Sequence, residues 1–411
     1  MAEEPKRSPY DLRSIFETMT LGLIGNLKRN LSRHREEETK EGFRWEMWQK
    51  AKLRALAGYR NINRKLIKHA LKEAEQLTGE VIQQSFDDGA KRAEDQAMRA
   101  VKRADDTGIV IPDDIRRKLP IPSTPTSTPK SKSPPQPQYD ELPHAGDEED
   151  FFDLNNKKLN ALERSAKKDI RTASGGVMRK MDDVYRQTIF KAEVHMAAGT
   201  KTLPQAVDMA TKDFLAKGID SIAYSDGRRV NIASYAEMVL RTASQRATFL
   251  GEGSKRDEWG VYTVVMSAHA NCSPWCQPFQ GTVMIDDVYT SISKAEASQL
   301  AVETGYKLLS YAMSEGAFHP NCRHTLATFF PGISRLPDIP QEATSDRNYE
   351  AEQRQRYMER HIRMYKRLTV GSIDEGNEAK YSAKVDQWQE RLREHLDANR
   401  QLRRDRRREA G

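Results

Sequence analysis

Two short loops hold all three cysteines of this 411-residue chain. Residues 267–281 read SAHANCSPWCQPFQG, and residues 316–324 read GAFHPNCRH. Thiolate sulfur and imidazole nitrogen are ligands that zinc favours, and it takes four of them in a tetrahedron. Cys272 and Cys276 form one pair, at a spacing that a loop can close. Cys322 and His324 form a second, with His319 and His269 as further donors, so which four would ligate stays open. A sulfur and nitrogen donor set, with no obvious carboxylate to carry a reactive water, suits a closed structural zinc site rather than a catalytic one. Without metal, the same residues would be buried thiols beside hydrogen-bonded histidines. The Cys-x3-Cys spacing is loose. What favours zinc is that Cys-x-His follows it and that these loops use up every cysteine of the chain.

Those loops need short strands and tight turns around them, and the sequence supplies both. From Trp259 to Met266 the chain is rich in β-branched and aromatic residues, which predicts a buried strand. Short strands and loops with one helix, Ser293 to Ser314, should follow as far as Phe330. Upstream the period is helical. Leu12, Ile15, Phe16, Met19, Leu23, Ile24, Leu27 and Leu31 form one apolar stripe. A longer stripe starts near Phe43 and runs through Trp45, Trp48, Leu53, Leu56, Tyr59, Ile62, Leu66, Leu71 and Leu77. Such stripes are seams for packing, against a core or a partner. Between Pro112 and Pro143 the sequence turns to proline, serine and threonine, then to Asp147, Glu148, Glu149 and Asp150, the composition of an extended tether. Helical periodicity resumes at Phe151. A further helix, Ala206 to Leu215, should close at Lys217-Gly218, with a short strand from Ile219 to Tyr224, an Asp226-Gly227 turn and a helix from Ser234 to about Leu250.

The predicted fold class is therefore predominantly helical α+β. Its expected parts are a helical region over 1–108, a Pro-rich and acidic linker over 109–150, a helical region over 151–255, a Cys/His-rich domain over 256–335 and a charged helical tail over 336–411.

Composition narrows the function classes. With 67 Lys+Arg against 60 Asp+Glu, the charges nearly match, which favours a surface laced with ion pairs over a dedicated polyanion binder. The start of the chain is charged rather than apolar, so no signal peptide is expected. No run approaches the ~18 apolar residues of a membrane span. Few cysteines, interleaved with histidine, argue against a secreted disulfide scaffold. An aqueous, reducing compartment is expected, with no membrane and no small-molecule substrate.

Two other chemistries can be drawn from the sequence. Arg403, Arg404, Arg406, Arg407 and Arg408 make a basic run without aromatic residues, which would contact phosphates rather than bases. The same run also reads as a solvated helix end, where basic residues offset the dipole. His269, Asp286, Asp287 and His319 could be assembled into a zinc-dependent hydrolase or nuclease site. Against this, the chain has no helix-borne His pair with a glutamate, no Gly-x-Ser-x-Gly and no phosphate-cradling glycine loop.

The segment from Gly316 to Arg323 resembles the closing motif of the Mu F-type phage minor head proteins, in which a cysteine pair precedes a glycine and then His-Pro-x-Cys-Arg-Cys. This chain keeps Cys272, Cys276, Gly281, His319, Cys322 and Arg323, with one extra residue in the pair and His324 in place of the last cysteine. It is more closely similar to the phage minor capsid protein 2 family. The similarity lies at Lys217-Gly218-Ile219, Tyr224 to Val230, Arg241-Thr242, Glu258-Trp259-Gly260, Ser267 to Ala270, Gln280-Gly281 and Asn321 to His324, and in the helix from Phe43 to Leu66. It spans roughly residues 10–335 and departs in the loop after His269, where the family often has Arg-Pro-x-His. The resemblance implies a non-enzymatic, low-copy structural protein at the portal vertex, acting in head morphogenesis or DNA packaging and ejection. Its implied partners are the portal protein, the major capsid protein or packaged double-stranded DNA. Its implied location is inside the virion head, after assembly in the host cytoplasm.

Overall fold

The computed structural model describes residues 7–32, 45–119, 148–197, 202–223 and 229–409. Most of the proline-rich stretch and the Asp226-Gly227 turn lie outside the described residues, as do the side chains of Phe43 and Trp45.

Helix α1 (Pro9–Ser32) opens where the Asp11 carboxylate accepts from the Ser8 amide, and its apolar stripe from Leu12 to Leu31 is buried. Helix α2 (Trp45–Thr107) has 63 residues, a rod of about 95 Å at 1.5 Å per residue. Trp48, Leu56, Tyr59 and Leu77 face the core as their spacing predicts, while Leu53 and Ile62 fall off that flank and are exposed. After the short α3 (Asp113–Lys118) come α4 (Glu148–Gly175), α5 (Val177–Ala197) and α6 (Leu203–Lys217), then a hairpin of β1 (Asp220–Ala223) with β2 (Arg229–Asn231), and α7 (Ile232–Trp259). The boundaries of α6 follow its chemistry: Thr202 and Gln205 make a capping box, and Gly218 stops the helix.

One apolar core takes residues from Leu12 to Ile373, so helices from both sides of the proline-rich stretch are buried against each other. Helices α2 and α7 come closest. A β-carbon on Gly89 would lie 2.1 Å from the Thr248 carbonyl oxygen, and one on Gly251 would lie 2.0 Å from that of Phe86. Backbone meets backbone here, and only glycine permits it.

Past α7 lies a four-stranded mixed sheet in the order β5-β4-β3-β6. Strand β3 (Thr263–Met266) is central and buried throughout. It pairs antiparallel with β4 (Val283–Ile285) and β6 (Leu326–Thr328), and β4 pairs parallel with β5 (Lys307–Leu308). Two sequence expectations shift here. The strand predicted from Trp259 starts only at Thr263, because α7 runs on to Trp259 and ends at Gly260 in the left-handed region. The single helix predicted from Ser293 to Ser314 is two, α8 (Lys294–Thr304) and α9 (Leu309–Ser314), parted by Gly305 at φ 72° and by β5.

The charged C-terminal stretch is helical and packed. Helices α10 (Glu342–Gly371) and α11 (Glu375–Ala398) form a hairpin around Met358, Ile362 and Leu392, and Leu368 and Ile373 join the main core. The Asp208 carboxylate of α6 accepts from the amides of Ile373 and Asp374 at the corner between them.

The glycine crossing predicts a contrast. Gly251→Ala forces α2 and α7 apart and should cost about 1–3 kcal/mol or more. Gly25→Ala, in α1 with nothing within 4 Å of its β-carbon position, should be neutral or stabilising by up to about 1 kcal/mol. Thermal unfolding midpoints of the two variants check this; equal midpoints would contradict the close-crossing account.

Candidate metal centre

The two Cys/His loops meet beside β3 and β6. The first leaves β3, turns at Ser273 (its carbonyl accepts from the Cys276 amide at 3.1 Å), and continues through a 3-10 turn, Gln277–Phe279. The second follows α9 and is bent by two residues in the left-handed region, Phe318 (φ 55°) and Asn321 (φ 67°). Asparagine tolerates that conformation; a phenylalanine there is strained backbone held by its surroundings, with the Phe318 ring buried against Phe249. These bends flank His319 and Pro320, and they bring His319 and Cys322 back toward the first loop.

Cys276, His319 and Cys322 each place a donor atom within 4.8 Å of the other two. The Cys276 and Cys322 sulfurs are 3.6 Å apart. Two sulfurs bound at about 2.3 Å to a tetrahedral zinc lie roughly 3.8 Å apart, so the spacing fits that ion. His324 stands next to them, its Nδ1 3.3 Å from the Cys322 sulfur. Both histidines have one ring nitrogen committed elsewhere: His319 Nδ1 lies 2.9 Å from the Pro320 carbonyl, and His324 Nε2 lies 3.3 Å from Gln280 Oε1. An N–H directed that way leaves the other nitrogen with its lone pair available, facing the Cys322 sulfur at His324, the tautomer a metal-ligating histidine needs. His319 Nε2 meets the Ser273 hydroxyl at 2.7 Å.

Cys272 does not join the group. Its thiol donates to the Ser273 carbonyl at 3.2 Å and it is fully buried in the apolar core of this domain. His269 stacks on the His324 ring at a centroid distance of 4.1 Å, as a neighbour of the site. Gln280 has a role that residue types and spacing did not signal. Its side-chain oxygen accepts from the His269 backbone amide at 2.8 Å and faces His324 Nε2, so it holds the loop at His269 and orients the His324 ring. A buried glutamine beside Gly281 was the available sign.

Other elements hold the loops in place. Gln245 of α7 donates to the His324 carbonyl at 2.7 Å, Asn348 of α10 donates to the Ala270 carbonyl, and Arg323 pairs with Glu352 of α10. Electrostatics differ sharply among the thiols. The hydrogen bond from Cys322 holds the Cys276 thiol far below its ordinary range, and the same contact, with burial, pushes Cys322 up. Burial, with Cys276 nearby, pushes Cys272 up to about 12. The bond to Cys276 raises His319, whereas burial and then the neighbouring His324 lower His269 to about 4. A divalent cation is what such a set accommodates: it stabilises both thiolates and keeps the imidazoles neutral.

The acidic residues of a hydrolytic reading are occupied differently. Asp286 is fully buried, paired with Arg256 at 2.6 Å, and accepts from the Tyr289 amide, while Asp287 accepts from the Ser310 amide. Neither belongs to the Cys276, His319 and Cys322 group. The terminal arginines form no extended arm. Arg404 makes a two-point contact with Glu409, Arg407 pairs with Asp405 and lies over the Tyr10 ring, and Arg408 bonds the Tyr10 hydroxyl. Arg403 and Arg406 are exposed.

The lowered His269 sets a pH dependence. The folded protein keeps this ring neutral where the unfolded chain, titrating near 6.5, takes up a proton. Its contribution to stability is therefore whole above about pH 6.5 and lost as pH falls toward 4. His269→Phe should flatten that part of a plot of melting midpoint against pH; an unchanged slope between those values would contradict it.

Known proteins place the chain. A structural protein of Lactococcus phage LL-H is 22% identical over 224 residues, which are 53% of this chain and 58% of that relative. The chain thus spans little more than half the length of that relative. No solved structure matches it. The sequence profile of phage minor capsid protein 2 matches residues 136–397, beyond the expected limit near 335 and leaving out α1 and α2. That match takes in both Cys/His loops and the α10–α11 hairpin and covers more than half of the residues, and the chain belongs to the phage minor capsid protein 2 family.

Proposed function

We propose that this phage structural protein works at the portal vertex, on the inner side of the head, and that its Cys/His domain is stapled by one zinc ion. Membership of a minor capsid family and the phage structural relative support the structural role. The observation that carries the zinc reading is the convergence of Cys276, His319 and Cys322 within 4.8 Å, with His324 alongside. Those four residues would hold the ion, and Cys272 would stay a core thiol. Bound there, zinc supplies folding free energy by tying together two loops separated by α8 and α9. The apolar core around those loops is small, which is where such a tie matters most.

The reading is non-enzymatic, since Asp286 and Asp287 are committed to Arg256 and Ser310. In it the helical body docks on portal or major capsid protein during head morphogenesis, in the host cytoplasm. Phe190 and Val194, exposed one turn apart on α5, are suited to such a contact. The compact terminal segment does not favour the alternative of a basic arm laid on packaged DNA.

Elemental analysis of the purified protein should return one zinc per chain. A Cys276→Ser/Cys322→Ser double variant should lose both the metal and thermal stability, and Cys272→Ala should retain the metal. A well-folded, metal-free wild type would sink the zinc reading, and loss of metal in Cys272→Ala would sink the ligand set. Chemical cross-linking of purified phage particles should give cross-links to the portal protein; cross-links to tail proteins alone would refute the placement.

A further inference from the structure

A second constellation lies outside the Cys/His loops. A cavity of about 590 Å³ opens where α1, α7 and α10 meet the returning C-terminal segment. Arg13, Arg241, Arg363, Arg367 and Arg408 stand in its walls, and Lys217, Arg356 and Arg360 also line it. Of carboxylates, Glu237 and Glu359 line it among the described residues.

The walls are built, and they are short of negative charge. Arg13 is only 6% exposed; it pairs with Glu17 at 3.5 Å and shares Glu237 with Arg241, at 2.6 Å and 2.5 Å. The Nε atoms of Arg13 and Arg241 are buried with no hydrogen-bond partner. Arg363 donates to the Arg408 carbonyl but comes no closer than 3.9 Å to Glu17, and burial with Arg13 beside it holds its guanidinium down to about 9. Arg367 gives its guanidinium to the carbonyls of Leu215 and Ala216, at 3.1 Å and 2.8 Å. Arg408 is 3.9 Å from Glu359. Like charges crowded in a partly desolvated space, with donors unmet, cost stability unless an anion completes them. Planar guanidinium forks fit the paired oxygens of a phosphate, and the cavity is larger than one orthophosphate needs.

We propose that this arginine-walled cavity is a binding site for phosphate groups, either phosphodiesters of a nucleic-acid backbone or a free condensed phosphate. The site is distinct from an extended basic tail: it is assembled from α1, α7 and α10, and of the terminal arginines Arg408 lines it whereas Arg403 and Arg406 do not. It does not depend on the zinc reading or on a place at the portal vertex.

The test uses the full-length protein with two probes, a fluorescently labelled duplex DNA oligonucleotide and inorganic pyrophosphate. Lys217→Glu/Arg360→Glu alters two exposed residues of the cavity, so the buried network is spared. Arg403→Glu/Arg406→Glu, at exposed residues of the terminal segment outside the cavity, is the control for charge alone. Thermal melting checks that both fold. If the ligand is a nucleic-acid backbone, duplex DNA binds. The cavity variant then weakens it at least about tenfold and lowers the salt slope by about two, while the control stays near wild type. If the source is a free phosphate compound, calorimetry detects pyrophosphate binding that the cavity variant loses, and DNA does not bind. The proposal is overturned if neither probe binds, if the cavity variant binds as wild type does, or if both variants weaken binding equally.

Discussion

The contact between α2 and α7 at Gly89 and Gly251 sets the distance on which the rest of the molecule depends. Helix α7 serves three apolar clusters along its length. Ala233 to Ala247 face the main helical core, Phe249 and Leu250 face the core of the Cys/His domain, and Trp259 closes the cluster at the far end of α2. A helix pressed backbone to backbone against α2 cannot slide or roll, so residues it sends in other directions arrive in fixed positions. Gln245 meets the His324 carbonyl, and Arg256 reaches Asp286 under the sheet. Charge reinforces the crossing: buried Glu252 takes Arg92 of α2 at 2.6 Å.

The two Cys/His loops therefore rest on a frame whose position the α2–α7 contact sets. Strand β3 and β6 bring the loops to one end of a small sheet, and the contacts from Gln280, Gln245 and Arg323 hold them there. What remains at the centre is a pair of buried sulfurs 3.6 Å apart, one thiol held down and the other pushed up by the contact between them. Buried like this, the pair is poorly placed to act as a thiol nucleophile, which would need access to a substrate, and the proposed structural centre asks for no such access.

Much of this organisation was legible in the sequence, and what was hidden was hidden for physical reasons. Apolar spacing gave the helices and the predominantly helical α+β class, because one face of each is buried. The exhaustion of cysteine in two loops pointed to two segments that the fold does bring together. Spacing could not separate Cys272 from Cys276, since both thiols are buried and the choice depends on the turn at Ser273, which gives one thiol to the Ser273 carbonyl and brings the other against Cys322. Gly305 and Gly260 moved element boundaries by a few residues, because a stop signal competes with a strong local period. The terminal arginines read either as a phosphate-contacting run or as a solvated helix end, yet Tyr10, Asp405 and Glu409 take up three of them. Two of those partners are within the same segment. Tyr10 lies almost the whole chain away, and no local pattern announces a contact of that kind.

That last contact, with the core that joins Leu12 to Ile373, says something about how the protein is made. Helix α1 can pack on α2 as soon as both are made, through Asn26 with Tyr59 and Asn63, but the other surfaces that cover it belong to α7 and to α10, synthesised long afterwards. Until then the apolar stripes of α1 and α2 have no complete partner, and pairing over such separations is slow to form. The Cys/His loops, close together in sequence, can close around their own small core before the α10–α11 hairpin has emerged.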